Sequence, residues 1–399
     1  MSRLQRHGGD ARPSPADLRA AVYTDYAYHR VGEGIQAERA FALFIGALSE
    51  RIGRLVLVGR LDPDPEGGRY PVGDRIDFHP LPHYESLARP WDAIRGMARS
   101  LGRLWRALDG VDCVWLLGPH PLALPFAAMA VLRRRRVFLG VRQDFPRYVR
   151  SRRPGRRWLN ATAWALELSF RALARVCPVV VVGPGLREAY RRSPRLLEIA
   201  VSLVREEDVV PARLSGGRSY EGELTVLSVG RLDAEKNPMI LVDILAELNR
   251  ERPRWRLVVC GEGPMEGELR VAFEQAGLGE GVELRGYVPH DRLRDLYRGS
   301  HAFLHVSLTE GLPQVLFEAF AAGLPVVATD VGGVRAAVDG AARLVAPADP
   351  AAAVEELRRI ASEAPLREAL RDAGRELALA HTIEGESRSL AEFMARCSA

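Results

Sequence analysis

The chain has 399 residues, 47% hydrophobic and 27% charged, which excludes a collagen-like or wholly disordered polymer and leaves room for two or three self-standing cores at roughly 150 residues per domain. Its formal charge of +5 rests on 56 basic residues, of which 55 are arginine and one is Lys236. Four scattered cysteines, with no C-x-x-C pair and no histidine at ligand spacing, exclude a disulfide framework and a zinc site and fit a reducing cytoplasm.

Residues 1–17 are polar, contain Gly and Pro, and lack an apolar core, so no signal peptide is expected there. AAVYTDY (20–26) reads as the first strand, followed by a glycine-containing loop over His29–Gly34 and a helix to about Glu50. LVLVG (55–59), VDCVWLLG (111–118), VFLGV (137–141) and CPVVVVG (177–183) are short, continuously apolar runs closed by glycine or a turn. Such runs mark strands buried on both faces of a parallel sheet. Cys113–Leu132 carries no charge for 20 positions, but Gly118, Pro119, Pro121 and Pro125 interrupt it, predicting strand, loop and buried helix rather than a membrane span.

Polar, Gly- and Pro-containing sequence at 205–222 suits a linker. Beyond it the alternation restarts, with strands at 224–230, 256–261, 282–287, 302–307 and 324–330 and helices near 238–250, 265–276, 291–298, 313–322 and 351–379. Two successive doubly wound α/β domains are therefore expected, 18–205 and 222–380, with ligands outside the carboxyl ends of their strands. The halves differ in charge: residues 1–200 hold 33 basic and 19 acidic side chains, a net of +14, against a net of −9 for the remainder. Arginine runs at 133–136 and 147–157 suit an anionic partner, or simply a solvated face in an arginine-rich chain.

Three strand-end segments carry candidate chemistry. Gly261-Glu262-Gly263-Pro264-Met265-Glu266-Gly267 imitates a dinucleotide fingerprint, but its last glycine is one residue late, and Pro264 and Glu266 stand where pyrophosphate would rest. In Gly230–Asn237 (GRLDAEKN), Arg231 and Lys236 lie five apart across a turn, so both suit a diphosphate, unless they pair with Asp233 and Glu235. In EGLPQVLFEA (310–319), Gly311 allows close approach to first-turn helix amides, an anion site. Glu310 and Glu318 flank it as acceptors for sugar hydroxyls, as a general acid and base, or as helix-start charges.

Together, GRLDAEKN (230–237), the VVCGEGP segment, the GYVP turn (286–289) and EGLPQVLFEAFAAGLPVVATDVGG (310–333) resemble the retaining GT-B-fold glycosyltransferases of family 4. Their hallmark is two glutamates with seven residues between, the spacing of Glu310 and Glu318. The resemblance is dense over 224–335 and topological before it. It implies a GT-B fold, two Rossmann-like doubly wound domains facing a cleft, with a first, acceptor-binding domain and a second, nucleotide-sugar-binding one. A final helix over 383–399 is expected to pack back on the first domain. The implied reaction is that of a hexosyltransferase-type enzyme moving a sugar from a nucleotide diphosphate sugar to an acceptor hydroxyl with retained configuration. Arg231 and Lys236, beside Gly230, would bind the donor diphosphate. Glu310, with the amides of Gly311 and Leu312, would contact the donor sugar. Glu318 would hold the ribose, and Gly286, Tyr287 and Val288 would lie beside the base. His120 matches the loop histidine near the reacting sugar, and Gly32, Glu33 and Gly34 match the glycine loop on the acceptor side. The chain departs from the family pattern in lacking a paired Gly-Gly there and in carrying Ser202-Leu203-Val204 before the linker.

No D-x-D or metal-ligand cluster stands in the sequence, so neither metal nor cofactor is expected beyond the nucleotide sugar as co-substrate. The expected acceptor bears a hydroxyl and is anionic or lipid-linked. The expected location is cytoplasmic, peripheral on the inner face of a membrane, without nucleic acid, because few aromatics interleave with the arginine runs. The competing readings are a non-catalytic nucleotide-sugar sensor and an NAD(P)-dependent oxidoreductase. A pyridoxal-phosphate phosphorylase would need a Schiff-base lysine, for which only Lys236 is available.

Overall fold

A computed structural model describes residues 14–64, 67–84, 90–152, 155–211, 218–250, 254–338 and 340–398. Parts of the Arg147–Arg157 run, of the 205–222 linker and of residues 1–17 lie outside these. The first sheet contains β1 (Arg19–Val31), β2 (Gly34–Ala37), β3 (Arg54–Asp62), β4 (Tyr70–Pro71), β5 (Ile76–Leu81), β6 (Cys113–Gly118), β7 (Arg136–Val141), β8 (Val179–Val182) and β9 (Leu196–Ile199). Its parallel part runs β5–β3–β1–β6–β7–β8–β9, while β2 adds antiparallel to the far half of β1 and β4 antiparallel to β2. The second sheet contains β10 (Leu224–Val229), β11 (Trp255–Cys260), β12 (Val282–Leu284), β13 (Ala302–His305), β14 (Val326–Thr329) and β15 (Ala342–Val345). All six are parallel, in the order β12–β11–β10–β13–β14–β15.

Both sheets start in the middle and wind outward both ways, so each has a crevice where the order reverses, between β1 and β6 and between β10 and β13. The apolar runs fill both faces of each sheet: Val22, Leu57 and Trp115 face one core, Tyr23, Val58 and Leu116 the other. In the second domain Val226 and Leu257 are divided in the same way from Leu227 and Val258. Helix Ile383–Ser398 buries Ile383, Leu390 and Met394 in the core of the first sheet. The chain thus crosses between domains twice, and the crossings touch, the Ile383 N–H donating to the Val204 carbonyl at 2.8 Å.

The start of the chain departs from the sequence reading. β1 does not stop at Tyr26 but runs to Val31 and turns back as a hairpin, with Val31 opposite Gly34. Gly32 takes φ +60°, a left-handed conformation glycine adopts without steric cost. Before the hairpin, pairing with β3 jumps from Tyr23–Val58 to Ala27–Arg60, so Thr24, Asp25 and Tyr26 bulge opposite Gly59. A bulge re-aims side chains, and here it turns three of them into the interdomain cleft. The helix expected over 351–379 is two, Pro350–Ser362 and Ala364–Ala380, broken at Glu363 because Pro365 cannot continue the preceding helix. No helix among the described residues is long and apolar enough to cross a membrane.

Candidate functional site

The carboxyl ends of β1, β6 and β7 face those of β10 and β13 across a cleft of about 1050 Å³. On the second-domain side, β10 ends at Val229 and the chain turns through a 3-10 segment, Ala234–Lys236. Asn237 then takes φ +52°, a conformation asparagine tolerates better than most residues, and Pro238 leads into helix Ile240–Asn249. This turn carries Lys236 toward the loop after β13, where its Nζ lies 2.5 Å from Glu310 Oε1. His305 at the end of β13 brings its Nε2 to 3.0 Å from the same oxygen. Burial would raise the Glu310 carboxyl, but the His305 contact and the Lys236 ammonium outweigh it and hold it at about 2. Glu310 is therefore an ionised, acceptor-only group in a largely buried site.

Glycines place this loop. A Cβ on Gly332, at φ +58°, would sit 2.0 Å from the Glu310 carbonyl oxygen, so only glycine lets the two loops meet. The fingerprint-like glycines do the same between loops: a Cβ on Gly261 would lie 1.8 Å from the Gly230 carbonyl oxygen, and one on Gly263 2.3 Å from that of Leu232. Their conformational freedom packs the 261–263 segment on the GRLD turn, which removes the reason for reading it as a pyrophosphate cradle. Arg231 is in ion pairs with Asp233 (2.5 Å) and Glu235, so in the ligand-free protein it is compensated within its own turn.

Glu318 lies on helix Gln314–Ala321, accepting a hydrogen bond from the Tyr297 hydroxyl at 2.9 Å, with His290 Nε2 3.8 Å from its other oxygen. Burial pushes its carboxyl up, against the pull of His290 and the Tyr297 bond. Tyr287 and Val288 line the cleft beside it, and the Gly286 carbonyl accepts from the Gly261 N–H at 2.7 Å. Here the first domain reaches across: an Arg69 guanidinium nitrogen is 2.9 Å from Glu262 Oε2, and its carbon lies 4.5 Å over the Tyr287 ring.

On the first-domain side, His120 follows β6 and is buried. Its Nδ1 lies 2.7 Å from the Tyr23 hydroxyl and accepts from the Leu122 N–H at 3.2 Å. With Nδ1 accepting, the proton belongs on Nε2, which lies 3.0 Å from Asp25 Oδ1. The same oxygen takes the Tyr84 hydroxyl at 2.5 Å and lies 3.2 Å from Arg60 Nε. Burial would raise the Asp25 carboxyl, but His120, Arg60 and Tyr84 overcome it and hold it below its ordinary range.

The structure thus gathers Lys236, Glu310, Gly311 and Leu312 around one strand-end pocket, with Arg231 and Glu318 on the same cleft and His120 opposite. It does not bring Gly32, Glu33 and Gly34 there. They form the β1–β2 turn, and the cleft is lined instead by Glu38, Arg39 and Phe41, because the hairpin carries the glycines outward before the chain returns to helix Phe41–Ser49. Sequence reasoning missed His305, Asp25, Arg60, Tyr84 and Arg142. His305, Asp25, Arg60 and Arg142 carried a usable signal, as polar residues at the carboxyl ends of apolar runs; Tyr84 had none. Among the described residues no group of three or more His, Cys, Asp or Glu is arranged to hold a metal ion.

Residues 215–377 match the family model for glycosyl transferases group 1. The phosphatidylinositol N-acetylglucosaminyltransferase gpi3 subunit of Schizosaccharomyces pombe is 32% identical over 142 residues, which cover 36% of this chain and 30% of that protein. The aligned stretches span 30 to 39% of the length of that relative and of its counterparts in Arabidopsis thaliana and Saccharomyces cerevisiae. Among solved structures, sucrose-phosphate synthase from Thermosynechococcus elongatus superposes with a TM-score of 0.72 at 19% identity, over 94% of this chain and 98% of that one. HepE of Anabaena, solved with UDP and glucose, gives 0.67 at 13% identity over 94% and 99%. At such identities the likeness is one of fold, and that fold is GT-B.

Proposed function

We propose, on the match of residues 215–377 to the family model for glycosyl transferases group 1, that this chain moves a sugar from a nucleotide diphosphate sugar to an acceptor hydroxyl, with retained anomeric configuration and without a metal. The observation that carries this reading is the convergence of Lys236 and His305 on Glu310 at the reversal point of the second sheet. On this reading the donor diphosphate competes with Glu310 for the Lys236 ammonium and with Asp233 and Glu235 for Arg231. Two cations already in the cleft then stabilise the departing diphosphate as charge develops on it. Glu310, released, accepts hydroxyl protons of the donor sugar, helped by amides at Gly311 and Leu312. Glu318 holds the ribose, and Gly286, Tyr287 and Val288 lie beside the base.

Of the described first-domain carboxylates that line the cleft, the part-buried one, Asp25, is engaged by three partners, and the other two, Glu38 and Asp144, are exposed. A front-face displacement, in which the leaving phosphate takes the acceptor proton, suits that arrangement. His120 then acts as a wall of the sugar site held in one tautomer.

The acceptor we propose is anionic or lipid-linked, met at the cytoplasmic face of a membrane by the first domain. Two observations support this. The first half of the chain carries a net +14, and helix Arg157–Leu173 exposes Trp158, Trp164 and Leu168. The name of the S. pombe relative points the same way, to an inositol lipid. The test is a panel of nucleotide sugars scored for release of nucleotide diphosphate, with and without chelator and anionic vesicles. One donor should turn over regardless of chelator. A protein that binds a nucleotide sugar but never releases diphosphate with any acceptor would be a sensor instead.

A further inference from the structure

The cations of the cleft differ in one respect. Arg60 faces Asp25, Arg69 faces Glu262, Arg231 faces Asp233 and Glu235, and Lys236 faces Glu310. Arg39 and Arg147 line the cleft as exposed side chains; Arg142, just past the end of β7, lines it as a largely covered one, yet among the described residues no carboxylate pairs with it. Its guanidinium carbon lies 4.3 Å from the centre of the Phe41 ring and 5.5 Å from that of Tyr26, and its buried Nε has no hydrogen-bond partner. Burial without a counter-charge pushes the guanidinium down to about 10, still fully protonated at neutral pH. A guanidinium stacked on an aromatic face keeps its in-plane N–H donors at its edge, the geometry that takes an oxyanion with two parallel bonds.

Its position says which substrate brings that oxyanion. The Arg142 carbonyl oxygen is 3.2 Å from where a Cβ on Gly311 would sit, so the residue adjoins the Glu310 loop from the first-domain wall. The second domain supplies its own cations, Arg231 and Lys236, to a diphosphate, leaving Arg142 for the other reactant. Building on the glycosyltransferase reading above, we propose that Arg142 anchors an oxyanion group, phosphate or carboxylate, of the acceptor, holding the acceptor hydroxyl against the donor sugar. Acceptors lacking the charged group would then be poor substrates even when the reactive hydroxyl is the same.

The probe is inorganic phosphate, titrated calorimetrically into the full chain saturated with whichever of UDP, GDP or ADP binds tightest. The wild type should bind phosphate, and Arg142→Gln should weaken it about 10- to 100-fold while leaving nucleotide diphosphate affinity unchanged. Arg142→Met keeps the stem over Phe41 and should match Arg142→Gln, and exposed Arg175→Gln should behave as wild type. Phosphate binding that is absent in the wild type, or indifferent to Arg142, overturns the proposal. So does an equal loss of nucleotide diphosphate affinity, which would assign Arg142 to the donor. If no nucleotide diphosphate binds, the donor reading falls, and the same titration on the free protein still decides Arg142.

Discussion

Each domain presents to the cleft a carboxylate clamped by one cation and one histidine: Glu310 by Lys236 and His305, Asp25 by Arg60 and His120. The two clamps differ in how far the cation is committed. Arg60 also donates to the backbone carbonyls of Asp25 (2.7 Å) and Tyr84 and stacks on the Tyr84 ring at 4.3 Å, so its fork is spent on the fold. Among the described residues, Lys236 has Glu310 as its one partner, and an ammonium on a flexible stem can leave it for a phosphate. On the proposed reading, the same motif of charges serves as scaffold in one domain and as switchable site in the other, and in a chain otherwise built with arginine a lysine stands where that reading needs the cation to move.

The contrast can be broken most directly at Lys236. Lys236→Ala should lower kcat/KM for the preferred donor by at least about 100-fold, and Lys236→Arg should not restore it fully, because a fork replaces the point charge. Steady-state kinetics near wild type for either variant would make the two clamps equivalent and end the distinction.

Acid is the next lever. Because the Glu310 carboxyl lies at about 2 in the folded protein and in its ordinary range when unfolded, its contribution to stability is complete above about 4.5 and is lost as pH falls toward 2. The contribution is on the order of 3 kcal/mol, and the pH dependence of urea midpoints should flatten in Glu310→Gln over that window. Glu318, raised by burial, acts in the opposite sense, gaining relief when protonated. An unchanged acid slope in Glu310→Gln would mean that the His305 and Lys236 contacts of this carboxylate add nothing to folding.

The smallest effect separates the clamps on stability alone. Arg60→Ala should cost about 2 kcal/mol, since it strands a part-buried carboxylate and two carbonyls, whereas Lys236→Ala made in the Glu310→Gln background, where no carboxylate is left stranded, should fall within about 1 kcal/mol of that background. Equal losses in denaturant unfolding would argue that Lys236 is as structural as Arg60.

The central strands and the second-domain site were legible in the sequence for one physical reason. Strands flanked on both sides must be apolar throughout, so β1, β6, β7, β10 and β13 announce themselves, and ligands lie at their carboxyl ends. β5 (IDFHPL), β9 (LLEI) and β15 (ARLV) were missed because they are sheet edges, free to carry polar residues. β4 is an edge too, and β2 exists only because β1 overruns the sheet. The site followed the same rule: Arg231, Lys236, Glu310 and Glu318 stand in two compact motifs. Asp25, Arg60, Tyr84 and His120 are scattered over 96 positions of sequence and meet only through a bulge that no local pattern encodes.

The return of helix Ile383–Ser398 to the first sheet has a consequence for the order in which the molecule is made. Domains emerging from a ribosome tend to settle in the order of synthesis. Here the first sheet waits, because Leu390, Met394 and Cys397 complete its core and are translated after the whole second domain. The second domain can close while the first, with its many arginines and its incomplete apolar face, is still open. The part of the protein met first by the cell is the last to become native.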